Sequence, residues 1–377
     1  MNKRILCAAA AAALAQASHS ADVGIYGAVD MFAAVNNDSG DVTSVLQSGG
    51  ASASYVGIKG SEDLAPGVKA VFKLESGILA DDGTYSQSFA GNTNRLFHRE
   101  SWLGIQSERF GQLSFGRQYT PQFLTWAMTD VTGLSLGMGA SPFFFACRDG
   151  VLGGDDPTQD DLTRRSNSIF WASPDLGGAT FMAYAALGEH GTSSTQGNVY
   201  SLAANYRSGG FFVMASVLRQ DFAPANLTYA QGGRDYEGHA NYFSLGMSYD
   251  AGFTKLALQL QYKDGAGYTA PDGTTEGPDI FVAQIGASTP MAGGRLHTTA
   301  AWLHDADNDS MDGAGLGVRY DYPLSKRTFV YGGVSAVFNE SRAQRSIEAG
   351  PDSSLHIAAA EPGDDAQMLF FGMHHAF

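Results

Sequence analysis

Cysteine is nearly absent: Cys7 and Cys147 are the only two among 377 residues. Such a count excludes the disulfide frameworks that staple small secreted domains. Charge is also scarce, at 16 % of the chain against a usual quarter. What charge there is leans negative, 23 Lys and Arg against 38 Asp and Glu, which argues against a nucleic-acid partner. No stretch in the body of the chain offers the roughly 18 continuous apolar residues that a membrane helix needs. His297, His304, His374 and His375 have no neighbouring Ser in a hydrolase motif and no H-E-x-x-H spacing, so neither catalysis nor a metal cofactor is expected. No repeat of 20–50 residues is found.

What is present is alternation. The last residues place Leu369, Phe371, Met373 and then Phe377 at odd positions, the pattern of a strand with one apolar and one wet face. Soluble proteins seldom end on an exposed aromatic strand. At the other end, Met1–Ser20 carries Lys3 and Arg4, an Ala-rich apolar run and small residues around Ala17 and Ser18. That is the form of a cleaved secretory signal, too short to span a bilayer. Cleavage between Ala17 and Ala21 leaves 21–377 as the working domain. Losing Lys3 and Arg4 takes the formal charge from −15 to −17. Cys147 is then the one cysteine left, with no assigned role.

The same two-residue period recurs along the chain. In 253–263, Leu256, Leu258, Leu260 and Tyr262 oppose Lys255, Gln259, Gln261 and Lys263. In 314–322, Leu316, Val318, Tyr320 and Tyr322 oppose Gly315, Gly317, Arg319 and Asp321. The pattern predicts strands over 23–35, 52–61, 67–77, 98–107, 112–118, 165–173, 179–188, 199–207, 211–220, 241–250, 253–263, 280–289, 294–304, 313–322, 327–338 and 367–377. Sixteen is an even number, and most segments have the 9–11 residues that a tilted strand needs to cross a membrane. Short connections such as Ser208-Gly209-Gly210 alternate with long polar ones, 119–164 being the longest. A membrane protein without apolar helices must close a sheet on itself, so the expectation is an all-β, sixteen-stranded antiparallel barrel with short periplasmic turns and long extracellular loops.

Particular motifs resemble the general, non-specific diffusion porins of Gram-negative bacteria, in their β-proteobacterial form. Val23-Gly24-Ile25-Tyr26-Gly27-Ala28-Val29-Asp30 is similar to that family's first strand. Gly57-Ile58-Lys59-Gly60-Ser61-Glu62-Asp63-Leu64 and Gly67-Val68-Lys69-Ala70-Val71-Phe72-Lys73-Leu74-Glu75 resemble its second hairpin. Phe115-Gly116-Arg117-Gln118-Tyr119-Thr120-Pro121, Asn167-Ser168-Ile169-Phe170-Trp171-Ala172-Ser173-Pro174 and Gly372-Met373-His374-His375-Ala376-Phe377 are further matches. The resemblance implies an outer-membrane homotrimer. It also implies a water-filled pore for small hydrophilic solutes and ions, narrowed by the third loop folding inward over 119–164. Phe371, Met373 and Phe377 then serve as the terminal signal read by the barrel-assembly machinery, after periplasmic chaperones have carried the chain. The trimer face falls on the first strands, with Val23, Ile25, Val29, Val56, Ile58, Val68, Phe72 and Leu74 outward.

Selectivity in such a channel comes from pore width and from the charges at its narrowest point. The loop candidates are Arg148, Asp149, Asp155 and Asp156, and the wall candidates Asp30, Tyr55, Lys59, Lys73, Arg99 and Arg117. Arg99 and Arg117 share parity with Leu103 and Leu113, which leaves their facing open. Many members of the family carry a cation where this chain has Tyr55 and Phe170. A weak preference for cations is therefore expected. The alternative is a substrate-specific channel for sugars or aromatic acids, stacking ligands on Tyr26, Tyr55, Trp126 and the Phe143–Phe145 run.

Overall fold

A computed structural model describes residues 22–37, 42–85, 95–135, 163–188, 197–221, 237–265, 268–269, 279–345, 347–348, 356–357 and 361–377. Among these, sixteen long strands form one antiparallel sheet. They are β1 (Asp22–Asn37), β2 (Tyr55–Ala65), β3 (Val68–Gly77), β4 (Glu100–Ser107), β5 (Gly111–Tyr119), β6 (Arg164–Ala172), β7 (Ala179–Ala186) and β8 (Val199–Ser208). After them come β9 (Phe211–Asp221), β10 (Glu237–Asp250), β11 (Lys255–Asp264), β12 (Ile280–Met291), β13 (Gly294–Asp305), β14 (Gly313–Pro323), β15 (Thr328–Asn339) and β16 (Ala366–Ala376). Each pairs with its neighbours in sequence, and β1 pairs with β16 from Ala28↔Ala376 to Asn37↔Gln367. Gly27 and Phe377 exchange backbone hydrogen bonds of 3.3 and 3.0 Å beyond that ladder. The sheet is therefore closed, which removes the unpaired edges that hydrocarbon would not tolerate.

All sixteen expected strands are present, with ends moved by a few residues. The short turns use left-handed glycines such as Gly209 (φ +56°) and Gly252 (φ +83°), where a side chain would be strained. Besides three two-residue strands, one longer strand segment was not expected: Val42–Ser48 pairs with Met31–Asn37 and extends the first hairpin. It lies in a stretch rich in Ser, Gly and Asp, which reads as loop in sequence.

Parity sorts the two faces as the pattern requires. On β11, Leu256 and Tyr262 are exposed while Ala257, Gln259, Gln261 and Lys263 are buried. On β16, Leu369, Phe371 and Met373 lie outward at 47–63 % exposure. Ile25, Leu103, Leu202, Ile285 and Val334 add to the same outer belt. A continuous apolar surface of this size is suited to lipid and would drive aggregation in water. The inner face is not polar throughout. Phe32, Tyr331, Met368, Phe370, Leu303 and Val282 form a buried cluster with Phe123 and Trp126 of the third loop. Inward apolar side chains are stable there because the loop covers them.

Candidate pore constriction

The third loop starts with a signal that strand alternation does not register. Thr120 precedes Pro121, and the Thr120 hydroxyl accepts a hydrogen bond from Phe123 N at 3.2 Å. A capping Thr followed by Pro at the first helical position favours a helix start. The helix α1 (Pro121–Thr129) follows and ends at Asp130, whose carboxylate accepts from Thr132 N at 2.7 Å and Leu134 N at 2.8 Å.

This segment lies inside the barrel. Thr125 Oγ1 donates to Ser216 Oγ of β9 at 2.9 Å, and Gln259 Nε2 of β11 donates to Trp126 O at 2.7 Å. Further on, His297 Nδ1 lies 2.8 Å from Val131 O, and Arg319 Nη2 donates to Thr132 O at 2.8 Å. Ser135 Oγ donates to Gly50 O at 3.0 Å. Gly246 of β10 is what allows the close approach: a methyl group there would collide with Thr129 Oγ1 and crowd Thr125 O. The loop thus runs across the lumen face of β9 to β14.

The wall from β1 to β6 carries the charge. Glu75 and Glu100 are direct cross-strand partners, a repulsive placement on its own. Lys73 bridges both, at 3.2 Å from Glu75 and in close contact with Glu100. Glu75 also accepts from Arg99 Nε at 2.7 Å and from the Tyr26 hydroxyl at 2.7 Å. Trp102 Nε1 donates to Glu100 at 3.0 Å. The Tyr119 hydroxyl accepts from Arg99 at 3.2 Å and Arg164 at 2.9 Å. Three tyrosine rings each lie under a cation: Tyr26 under Lys59 (4.9 Å), Tyr55 under Arg99 (5.0 Å) and Tyr119 under Arg164 (4.6 Å). Such contacts are worth about 0.5–2 kcal/mol, depending on desolvation.

Parity alone left Arg99 and Arg117 open, and two local irregularities resolve them. Arg99 precedes the first residue of β4, so its side chain is not bound to the strand's alternation, and it is buried against Glu75. Arg117 sits at a bulge. Between Gly116↔Ser168 and Gln118↔Arg165, β6 has one residue more than β5, and Asn167 takes φ +55°. Bulges re-aim side chains. Arg117 is buried, donating to His98 O and approaching Ser166 Oγ at 3.3 Å. The same bulge buries both Arg164 and Arg165, adjacent residues of which strict alternation would send one to lipid. Burial pushes the His98 imidazole down to about 3, and the charges of Arg164, Arg99 and Arg117 add to that effect.

Of the sequence-expected wall residues, Tyr55, Lys59, Lys73, Arg99 and Arg117 share this region. Asp30 does not. It is fully buried, and its carboxylate accepts from Gly50 N (2.8 Å), Ala51 N (3.3 Å) and the Tyr331 hydroxyl (2.6 Å), with His374 Nδ1 at 3.2 Å. Its work is to pin the 49–51 segment against the wall. Arg148, Asp149, Asp155, Asp156 and Cys147 lie outside the described residues. Glu75, Glu100, Arg164 and Arg165 were not singled out from sequence. The doubled arginine at the start of a strand was the signal available for the last two.

A barrel closed on itself, with a loop led inside it, has close counterparts. The sequence model of the family described as Gram-negative porin matches residues 5–342. The chain belongs to that family. It is 27 % identical to outer membrane porin protein 32 of Delftia acidovorans over 100 % of both chains. It is also 27 % identical to major outer membrane protein P.IB of Neisseria meningitidis serogroup A, over 86 % of this chain and 90 % of that one. Among solved structures, the anion-selective porin from Comamonas acidovorans aligns with a TM-score of 0.77 and 25 % identity, covering 95 % of this chain and 100 % of that one. The protein is thus an outer-membrane porin, a channel for passive diffusion, and its relatives are channels rather than enzymes.

Proposed function

We propose that this porin is a general diffusion channel with a preference for small anions. One observation carries the preference: around Glu75 and Glu100 the described wall gathers Lys59, Lys73, Arg99, Arg117, Arg164 and Arg165. A low-dielectric wall dense in cations raises the local concentration of anions. The deficit expected from Tyr55 and Phe170 is offset by Arg164 and Arg165, and the ring of Tyr55 itself carries the Arg99 guanidinium. The similarity to a porin whose title calls it anion-selective supports the same reading.

The opposite preference rests on sequence: Asp149, Asp155, Asp156, Asp160 and Asp161 against Arg148. In that reading these carboxylates line the narrows and override the wall. A substrate-specific channel for sugars or aromatic acids is less well supported, because Tyr26, Tyr55 and Tyr119 already carry cations on their faces. The purified protein in planar bilayers separates the three. Conductance growing linearly with electrolyte and reversal toward the anion support the proposal. Reversal toward the cation favours the loop acids, and currents that saturate with one solute favour a specific channel.

The working unit in this proposal is a homotrimer made from 21–377 after removal of the leader. Val23 and Ile25, at 57 and 71 % exposure, with Val29 beside them, belong to the face buried between protomers. Barrel-assembly machinery reading Phe371, Met373 and Phe377 inserts the chain. Cross-linking of detergent-extracted protein through cysteines placed at 25 tests the trimer face, and a monomer-only pattern would reject it.

A further inference from the structure

We infer that a structural water-binding site lies between α1 and the wall behind it. The face covered by the loop is built from neutral amides and hydroxyls. Ser244 pairs with Gln261 across β10 and β11, and Gln259 pairs with Gln284 across β11 and β12. Gln259 and Gln261 stand two apart on one strand, so all four share one inward patch. Gln259 and Gln261 are 1 % exposed and Gln284 is 2 % exposed. Gln122, one turn before Trp126 on the helix, is also 1 % exposed.

These side chains are enclosed, yet much of their hydrogen-bonding capacity has no protein partner among the described residues. Both amide atoms of Gln261 and of Gln122 are in this state, as are Oε1 of Gln259, Oε1 of Gln284 and Oγ of Ser244. A buried polar atom left dry is costly, because it has given up its bonds to water without replacement. Five of these atoms belong to the one wall patch, which favours hydrated over dry burial there. Direct side-chain contacts account only for Gln259 Nε2, which donates to Trp126 O and Thr129 Oγ1. A buried water needs two to four polar partners, and cross-strand pairs such as Ser244 with Gln261 and Gln259 with Gln284 offer them in adjacent positions. The water cluster is then the joint through which the constriction loop is seated, beside the direct Thr125 to Ser216 bond.

A crystal structure of the detergent-extracted protein near 2 Å tests the site. The expected result is ordered water within hydrogen-bond reach of Gln261 and Ser244. Side chains turned to bond one another, with no density between them, would overturn it. Gln261→Met keeps the volume and removes both polar atoms. It should lose that water and raise open-channel current noise above wild type, and noise equal to wild type would reject the seating role. Should Gln261→Met fail to insert, Ser244→Ala deletes a single hydroxyl, and the same two readouts apply.

Discussion

The two halves of the inner wall use different chemistry for different ends. Behind α1, the wall offers Ser216, Ser244, Gln259, Gln261 and Gln284, with a glycine at 246 to let the helix approach. Around Glu75, the wall from β1 to β6 offers six cations, two carboxylates and three tyrosines, of which Lys73, Arg99, Arg164, Glu75, Glu100, Tyr26 and Tyr119 are joined by hydrogen bonds and ion pairs. Arg319 and His297 hold the loop further on, while neutral amides and hydroxyls seat the helix α1 without placing a field across the water path. Charged groups placed on the other side keep theirs. The comparison teaches that the seat of α1 and the cluster of charge are separate in this barrel, because they lie on different strands.

Breaking the charged half at its hub should have the largest effect. Glu75 is 3 % exposed and holds Lys73, Arg99 and Tyr26. Glu75→Ala leaves buried Arg99 and half-buried Lys73 without their shared partner, at a cost of about 3–5 kcal/mol. Heat-induced unfolding of the extracted protein should occur at clearly lower temperature, and an unchanged transition would show that Glu100 alone holds the cations.

Breaking the neutral half comes next. Gly246→Val forces Thr129 away from β10, and overpacking of this kind costs about 1–3 kcal/mol. The single-channel step should change in size while the outer belt, and so membrane insertion, is untouched. A wild-type step would mean that α1 is not what narrows the pore.

Charge removal without collapse sharpens the contrast. The double substitution Arg99→Gln and Arg117→Gln should shift the anion-to-cation permeability ratio toward the cation by about two- to fivefold, the equivalent of about 0.5–1 kcal/mol. Thr125→Val, on the other half, should leave that ratio unchanged.

The smallest effect concerns pH. His98 is held neutral between its ordinary 6.5 and about 3. The unfolded chain binds a proton in that window and the folded one does not, so the stability tied to neutral His98 is complete above 6.5 and is lost as pH falls toward 3. Ion preference should therefore show no step near 6.5, and His98→Gln should reduce the acid sensitivity of unfolding. A step at 6.5 that disappears in His98→Gln would place the imidazole in open water.

How much of this could be read from sequence follows from the same physics. The two-residue period is strong wherever a strand has lipid on one side and water or loop on the other, so all sixteen strands were legible. It fails where the backbone departs from alternation. Arg117, Arg164 and Arg165 depend on a bulge at Asn167, and Arg99 on lying just outside β4. Asp30 obeyed parity yet serves a buried joint, because pattern shows which face a carboxylate takes and not what covers it. Helix α1 was announced by Thr120-Pro121, a local cap signal that a search for alternation passes over. The charge expectation weighed Tyr55 and Phe170 as losses without the paired arginines Arg164 and Arg165 nearby as gains.

The reversal potential of the intact protein in a potassium chloride gradient tests most directly whether the basic wall sets the pore's preference. The account predicts reversal on the chloride side, moving toward zero in the Arg99→Gln, Arg117→Gln variant. Reversal on the potassium side, unmoved by that variant, would contradict it.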